Sequence, residues 1–236
     1  MIIFMWSGPR NLSTALMRSF ENRNDTIVHD EPFYAYYLFK TQLNHPMKNE
    51  IIKNYPFTQN EIIKKITKNP KNKIYYQKHM THHIIKNTKL TWIKKGYNCF
   101  LIRHPSKVIN SYIQKNTLRN INDVGFKKQF EIFKKIKKNN SKFTVINADD
   151  ILINPIISMK KLCKKLNINF SKKMINWPKG KRDTDGIWSK VWYKNVIQSS
   201  TFNKFKSEQI NVPKKYSKIY DESLKYYESM NKYSLQ

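Results

Sequence analysis

The chain has 236 residues, 39% of them hydrophobic and 14% aromatic, enough for one well-cored domain over residues 1–236 and too little for two. Lys and Arg total 45 against 16 Asp and Glu, a net charge of +29. No apolar run nears the ~18 residues of a membrane span, so no membrane-spanning helix is expected, and the N-terminal run is too short for a secretory signal.

Two cysteines, Cys99 and Cys163, sit in apolar segments outside any metal-ligand spacing, which points to a reducing cytoplasm. The positive charge is nearly all lysine, spread along the chain with many asparagines and isoleucines. That distribution reads as solvated helix faces rather than a specific nucleic-acid site. Arginine is scarce: Arg10, Arg18, Arg23, Arg103, Arg119 and Arg182. Its rigid fork of donors suits phosphate and sulfate oxygens, so its placement is informative.

In chain order, short apolar runs predict strands over residues 2–6, 26–29, 74–77, 98–102 and 143–147. Helical patterns follow each, from Leu12, Phe33, Thr81, Pro105 and Pro155. Phe126, Phe130, Phe133 and Ile136 recur at helical spacing and predict a helix over 126–139. Residues 46–72 are polar, with one short helix near Asn60–Ile63 at best. Residues 213–234 predict a tyrosine-rich C-terminal helix. Strand–helix alternation predicts an α/β fold, a parallel sheet of about five strands flanked by helices.

Each strand exit carries a polar cluster: residues 7–14, Asp30-Glu31-Pro32-Phe33, Lys78-His79-Met80-Thr81-His82-His83, Arg103-His104-Pro105-Ser106 and Ala148-Asp149-Asp150. Open parallel sheets bind ligands beyond the carboxyl ends of their strands, so these clusters predict one composite site. In the first, Gly8 allows close backbone approach. A helix from Leu12 turns free amides outward at its positive end. Ser13 and Thr14 add donors and Arg10 a charge. A plain strand-to-helix turn with a Ser/Thr cap explains the same residues. In the fourth, Pro105 suits a first helical turn. Ser111 lies two turns beyond His104, on the face of the Arg103 corner, where the pair could grip one oxyanion.

Pro9-Arg10-Asn11-Leu12-Ser13-Thr14 resembles the 5′-phosphosulfate loop of sulfotransferases that use 3′-phosphoadenosine 5′-phosphosulfate (PAPS), usually Pro-Lys/Arg-Ser-Gly-Thr-Thr. Arg103 with Ser111 resembles that family's 3′-phosphate site. Residues 143–152 with the following Asn154-Pro155 helix resemble its late strand and helix, and Lys179-Gly180-Lys181-Arg182 its late basic loop over the nucleotide. The strings Ser-Gly-Pro-Arg-Asn-Leu-Ser-Thr-Ala, Asp-Glu-Pro-Phe-Tyr and Asp-Gly-Ile-Trp are similar to a bacterial branch of sulfotransferase-like proteins. Leu12 departs from the usual loop glycine. The resemblance implies a three-layer P-loop-type fold and sulfuryl transfer from PAPS to a hydroxyl or amine of a small molecule, with adenosine 3′,5′-bisphosphate as product and no metal. It implies donor contacts from Gly8, Pro9, Arg10, Asn11, Leu12, Ser13, Thr14, Arg103, Ser111 and residues 179–182.

Attack by an alcohol needs a proton acceptor. Glu31 is the first expectation and His79 the second, with Lys78 stabilising charge; His82 or His83 could serve instead. The acceptor pocket is expected from Asp30, Phe33, Tyr34, His82, His83, Trp188 and Trp192. Three readings compete: a P-loop kinase or other phosphotransferase, an inactive nucleotide-binding relative, and a basic nucleic-acid-binding protein.

Overall fold

The computed structural model describes residues 1–205, 207 and 210–235. Five parallel strands form one sheet: β1 (Ile2–Ser7), β2 (Thr26–Asp30), β3 (Ile74–Met80), β4 (Tyr97–Ile102) and β5 (Phe143–Asn147). Their order is β2-β3-β1-β4-β5. β1 and β3 are buried along their whole length, as central strands covered on both faces must be. Register pairs Trp6 with His79 and Met5 with Lys78. Neighbouring residues of a strand point to opposite faces, so Lys78 and His79 serve different layers.

One face packs Ile3, Met5 and Tyr76 against α1 (Ser13–Glu21), α8 (Pro155–Leu166) and the segment around Trp177, Trp188 and Tyr193. The other packs Phe4, Trp6 and Phe100 against α5 (Pro105–Ile113), α6 (Phe126–Lys138) and α11 (Ser217–Asn231). Pro105 and Pro155 both occupy first helical positions, where the missing N–H costs nothing. α7 (Ala148–Ile153) directly precedes α8, and α9 (Ser189–Trp192) and α10 (Lys194–Ile197) are single turns.

Two expectations are corrected. The pattern from Thr81 forms only a 3-10 turn, Thr81–His83, because Glu31, Tyr34 and Tyr37 surround its imidazoles and the chain turns to follow them. The polar stretch 46–72 holds two helices, α3 (Lys48–Asn54) and α4 (Gln59–Ile66). Each needs few apolar anchors: Ile51 for α3, Ile62 and Ile66 for α4, all buried. α2 (Tyr34–Thr41) packs on α3.

Candidate active site at the carboxyl ends of the strands

The β1 exit is built by close packing. A Cβ on Gly8 would lie 2.6 Å from the Val124 carbonyl oxygen, so no other residue fits without moving that backbone. Gln129, buried on α6, donates to the Trp6 carbonyl at 3.1 Å and the Leu101 carbonyl at 2.9 Å and ties the ends of β1 and β4. Arg10 and Leu12 both adopt left-handed backbone, φ 63° and 68°. Leu12 therefore takes the conformation a glycine would, and α1 begins at Ser13 with no side-chain cap. The first free amides of α1 thus face the loop. Asn11 is buried, its amide 3.4 Å from the Leu101 carbonyl. The left-handed region costs a branched side chain ~1–2 kcal/mol. Leu12→Gly should relieve that strain while losing some apolar burial, leaving melting temperature and anion affinity little changed. Leu12→Val, stiffer at Cβ, should lower both in a thermal melt and a titration.

The first and fourth clusters meet. Arg10 Nε donates to Ser111 Oγ at 2.8 Å, and Arg103 Nη1 donates to the Arg10 carbonyl at 3.1 Å. Arg103 Nε stands 3.6 Å from Asp149 Oδ1, and Lys107 Nζ 3.2 Å from Asp149 Oδ2. His104 caps α5, its ring accepting from the Ser106 amide. Burial, and next the Arg103 charge, press the Arg10 guanidinium below the usual arginine range. Among the described residues no carboxylate lies within 4 Å of Arg10. Two crowded guanidinium groups, one without a counter-ion, fit an anionic ligand. Lys107 and Gln129 were not anticipated; Asp149 was legible as a member of the fifth strand-exit cluster, without its pairing to Arg103 and Lys107.

The β2 and β3 exits form a second cluster beside the loop. Lys78 Nζ lies 2.9 Å from Asp30 Oδ1 and 2.6 Å from Glu31 Oε1. Tyr193 donates to Asp30 Oδ2 at 2.6 Å, and Trp188 Nε1 at 3.1 Å. Asp30 is thus saturated and anchors the segment 186–193. Glu31 has φ 43° and its amide donates to the Lys78 carbonyl at 2.9 Å. Burial raises the Glu31 carboxyl above the usual range against the pull of Lys78. Burial disfavours the Lys78 charge, but the two carboxylates outweigh it and raise its pKa.

His83 Nδ1 stands 3.9 Å from Glu31 Oε2. Its ring stacks on Tyr34 at 4.5 Å and Tyr37 at 4.9 Å, with His82 edge-on at 4.4 Å. Tyr34 also contacts Trp188 at 5.2 Å, hydrogen-bonds with His45 and lies near Trp192. His79 lies on the opposite face, among Trp6 at 4.7 Å, Trp92 at 5.3 Å and Phe33 at 6.2 Å, with Nε2 3.1 Å from Gln77. Burial drives its pKa far down. The structure thus brings Asp30, Glu31, Tyr34, Lys78, His82, His83, Trp188 and Trp192 together and leaves His79 and Phe33 in the aromatic core. Tyr193, 163 residues from Asp30, stood out in sequence only as one of the aromatics around the 183–186 turn, with nothing to pair it with Asp30.

Among the described residues no hydrogen bond or ion pair joins residues 179–182 to the loop. Arg182 donates to the Pro178 carbonyl at 2.6 Å and pairs with Glu21 at 3.7 Å. Glu21 is the last residue of α1, about 12 Å from its start at 1.5 Å per residue. Lys179 and Lys181 are exposed, and the Gly180 amide donates to the Ile197 carbonyl at 2.8 Å. A groove of about 1540 Å³, lined by Lys94, Lys95, Lys142, Lys165 and Lys232, opens at the amino ends of β1, β4 and β5, away from all five clusters.

The sheet order places the loop, Arg10 and Arg103 together at the end of an α/β sheet where its strands end. Residues 1–234 match the sulfotransferase domain, and the chain belongs to that family. Branched-chain-amino-acid aminotransferase-like protein 1 of Arabidopsis thaliana is 30% identical over 227 residues, 96% of this chain and 41% of that protein. The corresponding protein 2 is 30% identical over 203 residues, 86% of this chain and 36% of that protein. The chain therefore spans about two-fifths of these curated relatives. The fold is shared with the sulfotransferase domain from the curacin biosynthetic pathway, with TM-score 0.59, 16% identity and coverage of 100% of this chain and 98% of that one. The sulfotransferase domain of the Synechococcus olefin synthase gives TM-score 0.63, 14% identity and coverage of 97% and 93%.

Proposed function

We propose that the protein transfers a sulfuryl group from PAPS to a hydroxyl or amine of a small-molecule acceptor, as a cytoplasmic enzyme. The observation that carries this is the 2.8 Å contact between Arg10 and Ser111. It joins an anion loop and a second cation–hydroxyl pair across 101 residues of sequence, as a ligand with two phosphate positions on one nucleoside requires. Gly8, Pro9, Arg10, Asn11, Leu12, Ser13 and Thr14 would hold the phosphosulfate end, and Arg103 and Ser111 the 3′-phosphate. The family resemblance would add residues 179–182, of which Arg182 pairs with Glu21 here.

PAPS supplies an activated sulfuryl group on a good leaving group. The chain must then neutralise charge and align the acceptor. Arg10, Ser13, Thr14 and the α1 amides do the first. The pocket of Tyr34, His82, His83, Trp188 and Trp192 does the second. Removal of the acceptor's proton depends on Glu31, whose Oε2 is the carboxylate oxygen not taken by Lys78. Among the described residues no helix is long and apolar enough to cross a membrane.

Calorimetry with adenosine 3′,5′-bisphosphate, ATP and an oligonucleotide, each with and without Mg²⁺, tests this. Only the bisphosphate should bind at micromolar level, unaffected by metal. Tighter ATP binding with Mg²⁺ would instead support a phosphotransferase, and a steep salt dependence with the oligonucleotide a nucleic-acid binder. Arg103→Ala should weaken the bisphosphate by roughly 10–150-fold, the loss of a charge-assisted contact, and adenosine 5′-phosphosulfate far less. Equal losses would make Arg103 structural.

A further inference from the structure

Glu31 carries two oxygens in unlike surroundings. Oε1 accepts from Lys78 at 2.6 Å and lies 3.4 Å from the Tyr193 hydroxyl. Oε2 faces His83 Nδ1 at 3.9 Å. That is about an ångström beyond a hydrogen bond, a gap of the kind that closes when a site fills. His83 Nδ1 is buried and has no hydrogen-bond partner among the described residues. The stacked Tyr34 and Tyr37 rings, 4.5 and 4.9 Å away and 6° and 28° from parallel, fix the plane of the imidazole. His82 shares the pocket, but its buried Nδ1 has no partner either.

We propose that Glu31 and His83 act as one unit, in which the carboxylate holds the hydrogen on His83 Nδ1 and His83 Nε2 receives the acceptor's proton. This rests on the sulfuryl-transfer reading of the same site. An ionised carboxylate only accepts hydrogen bonds, so an imidazole nitrogen turned toward it must donate. The hydrogen then sits on Nδ1 and the lone pair on Nε2. Burial keeps His83 neutral, well below the usual imidazole pKa, so that lone pair is free at neutral pH.

In the transfer, the acceptor oxygen forms its bond to sulfur as the bond from sulfur to the 5′-phosphate oxygen breaks. The leaving oxygen keeps that electron pair. The acceptor's proton passes to Nε2, and its O–H pair stays on the acceptor oxygen. Glu31 Oε2 faces the imidazolium so formed, and the proton returns to solvent from Nε2 after product leaves. Glu31 is then a positioning residue and His83 the catalytic one.

The test needs no acceptor. Full-length protein labelled with ¹⁵N at histidine gives the tautomer of each ring from long-range ¹H–¹⁵N correlation spectra at pH 7, with His82→Asn and His83→Asn for assignment. His83 should carry its hydrogen on Nδ1 by roughly tenfold or more, the preference a charge-assisted bond confers. In Glu31→Gln, Lys78 can bind only the amide oxygen, which turns the NH₂ group toward His83. Nδ1 must then accept, and the hydrogen should move to Nε2. A wild-type His83 with its hydrogen on Nε2, or one tautomer shared by both proteins, overturns the proposal. The wild-type spectrum decides alone if Glu31→Gln does not fold. Bisphosphate calorimetry on the same samples keeps the two claims apart: loss of donor binding overturns the sulfuryl-transfer reading, whatever the tautomer.

Discussion

Glu31→Gln should lower sulfuryl transfer by roughly 10²–10⁴-fold and leave the affinity for adenosine 3′,5′-bisphosphate essentially unchanged. The amide keeps the size of the side chain and its oxygen can still accept from Lys78, so the buried cluster stays filled. What it loses is the negative charge at Oε2, 3.9 Å from His83. A carboxylate adds no attraction for a polyanion, so donor binding has nothing to lose. Arg10→Ala gives the opposite split, losing donor affinity as well as rate, because its charge acts before and during transfer. The measurement is steady-state turnover against a panel of alcohols, phenols, sugars and amines, with calorimetry beside it. Near-normal turnover in Glu31→Gln would remove Glu31 from the chemistry.

Lys78→Met should destabilise the fold by about 3–5 kcal/mol, the usual result of leaving buried charge without its partner. At this chain length that is a melting-temperature drop of about 6–20 °C. Lys78 is 1% exposed and Asp30 1% exposed, so water cannot take over the role of the ammonium. The pH dependence has a definite sign. Without Lys78, burial and the neighbouring Asp30 charge hold the folded-state pKa of Glu31 above its unfolded value. Such groups favour the folded state while protonated and lose that contribution as pH rises through the folded pKa. The deficit should therefore shrink as pH falls toward 4.5, the ordinary glutamate value, in thermal melts taken from neutral pH downward. A pH-independent deficit would mean that lost packing, not charge, dominates.

Much of the site was legible because it is local. Residues 7–14 form a loop whose parts lie within eight positions, and Ser111 lies on α5, two turns after the strand exit that carries Arg103. Strand exits also collect at one end of any parallel sheet, whatever the details of packing. The miss at Thr81 has the same origin in reverse. Helical periodicity described the stretch from Thr81 in isolation, whereas contacts with Glu31, Tyr34 and Tyr37 from another strand exit decided its path. The polar stretch 46–72 was underestimated because a helix of seven or eight residues needs only one or two buried isoleucines.

Alternation of apolar runs with helical patterns was enough for the α/β class, the five parallel strands and the position of the loop after β1, since these depend on periodicities of 2 and 3.6 residues and on near neighbours. Which ionisable groups face each other depends on register and on long-range packing, and no local pattern carries that. Lys78 and His79 are adjacent in the chain, yet the pleat turns one toward Asp30 and Glu31 and buries the other against Trp6 and Trp92. A shift of one residue in β3 would exchange them. Tyr193 reaches Asp30, and Arg182 pairs with Glu21 rather than with the loop, only because the chain after α8 runs back along α1. Those placements follow from how the layers close over the sheet, where apolar burial fixes the backbone and the charged groups take the positions that remain.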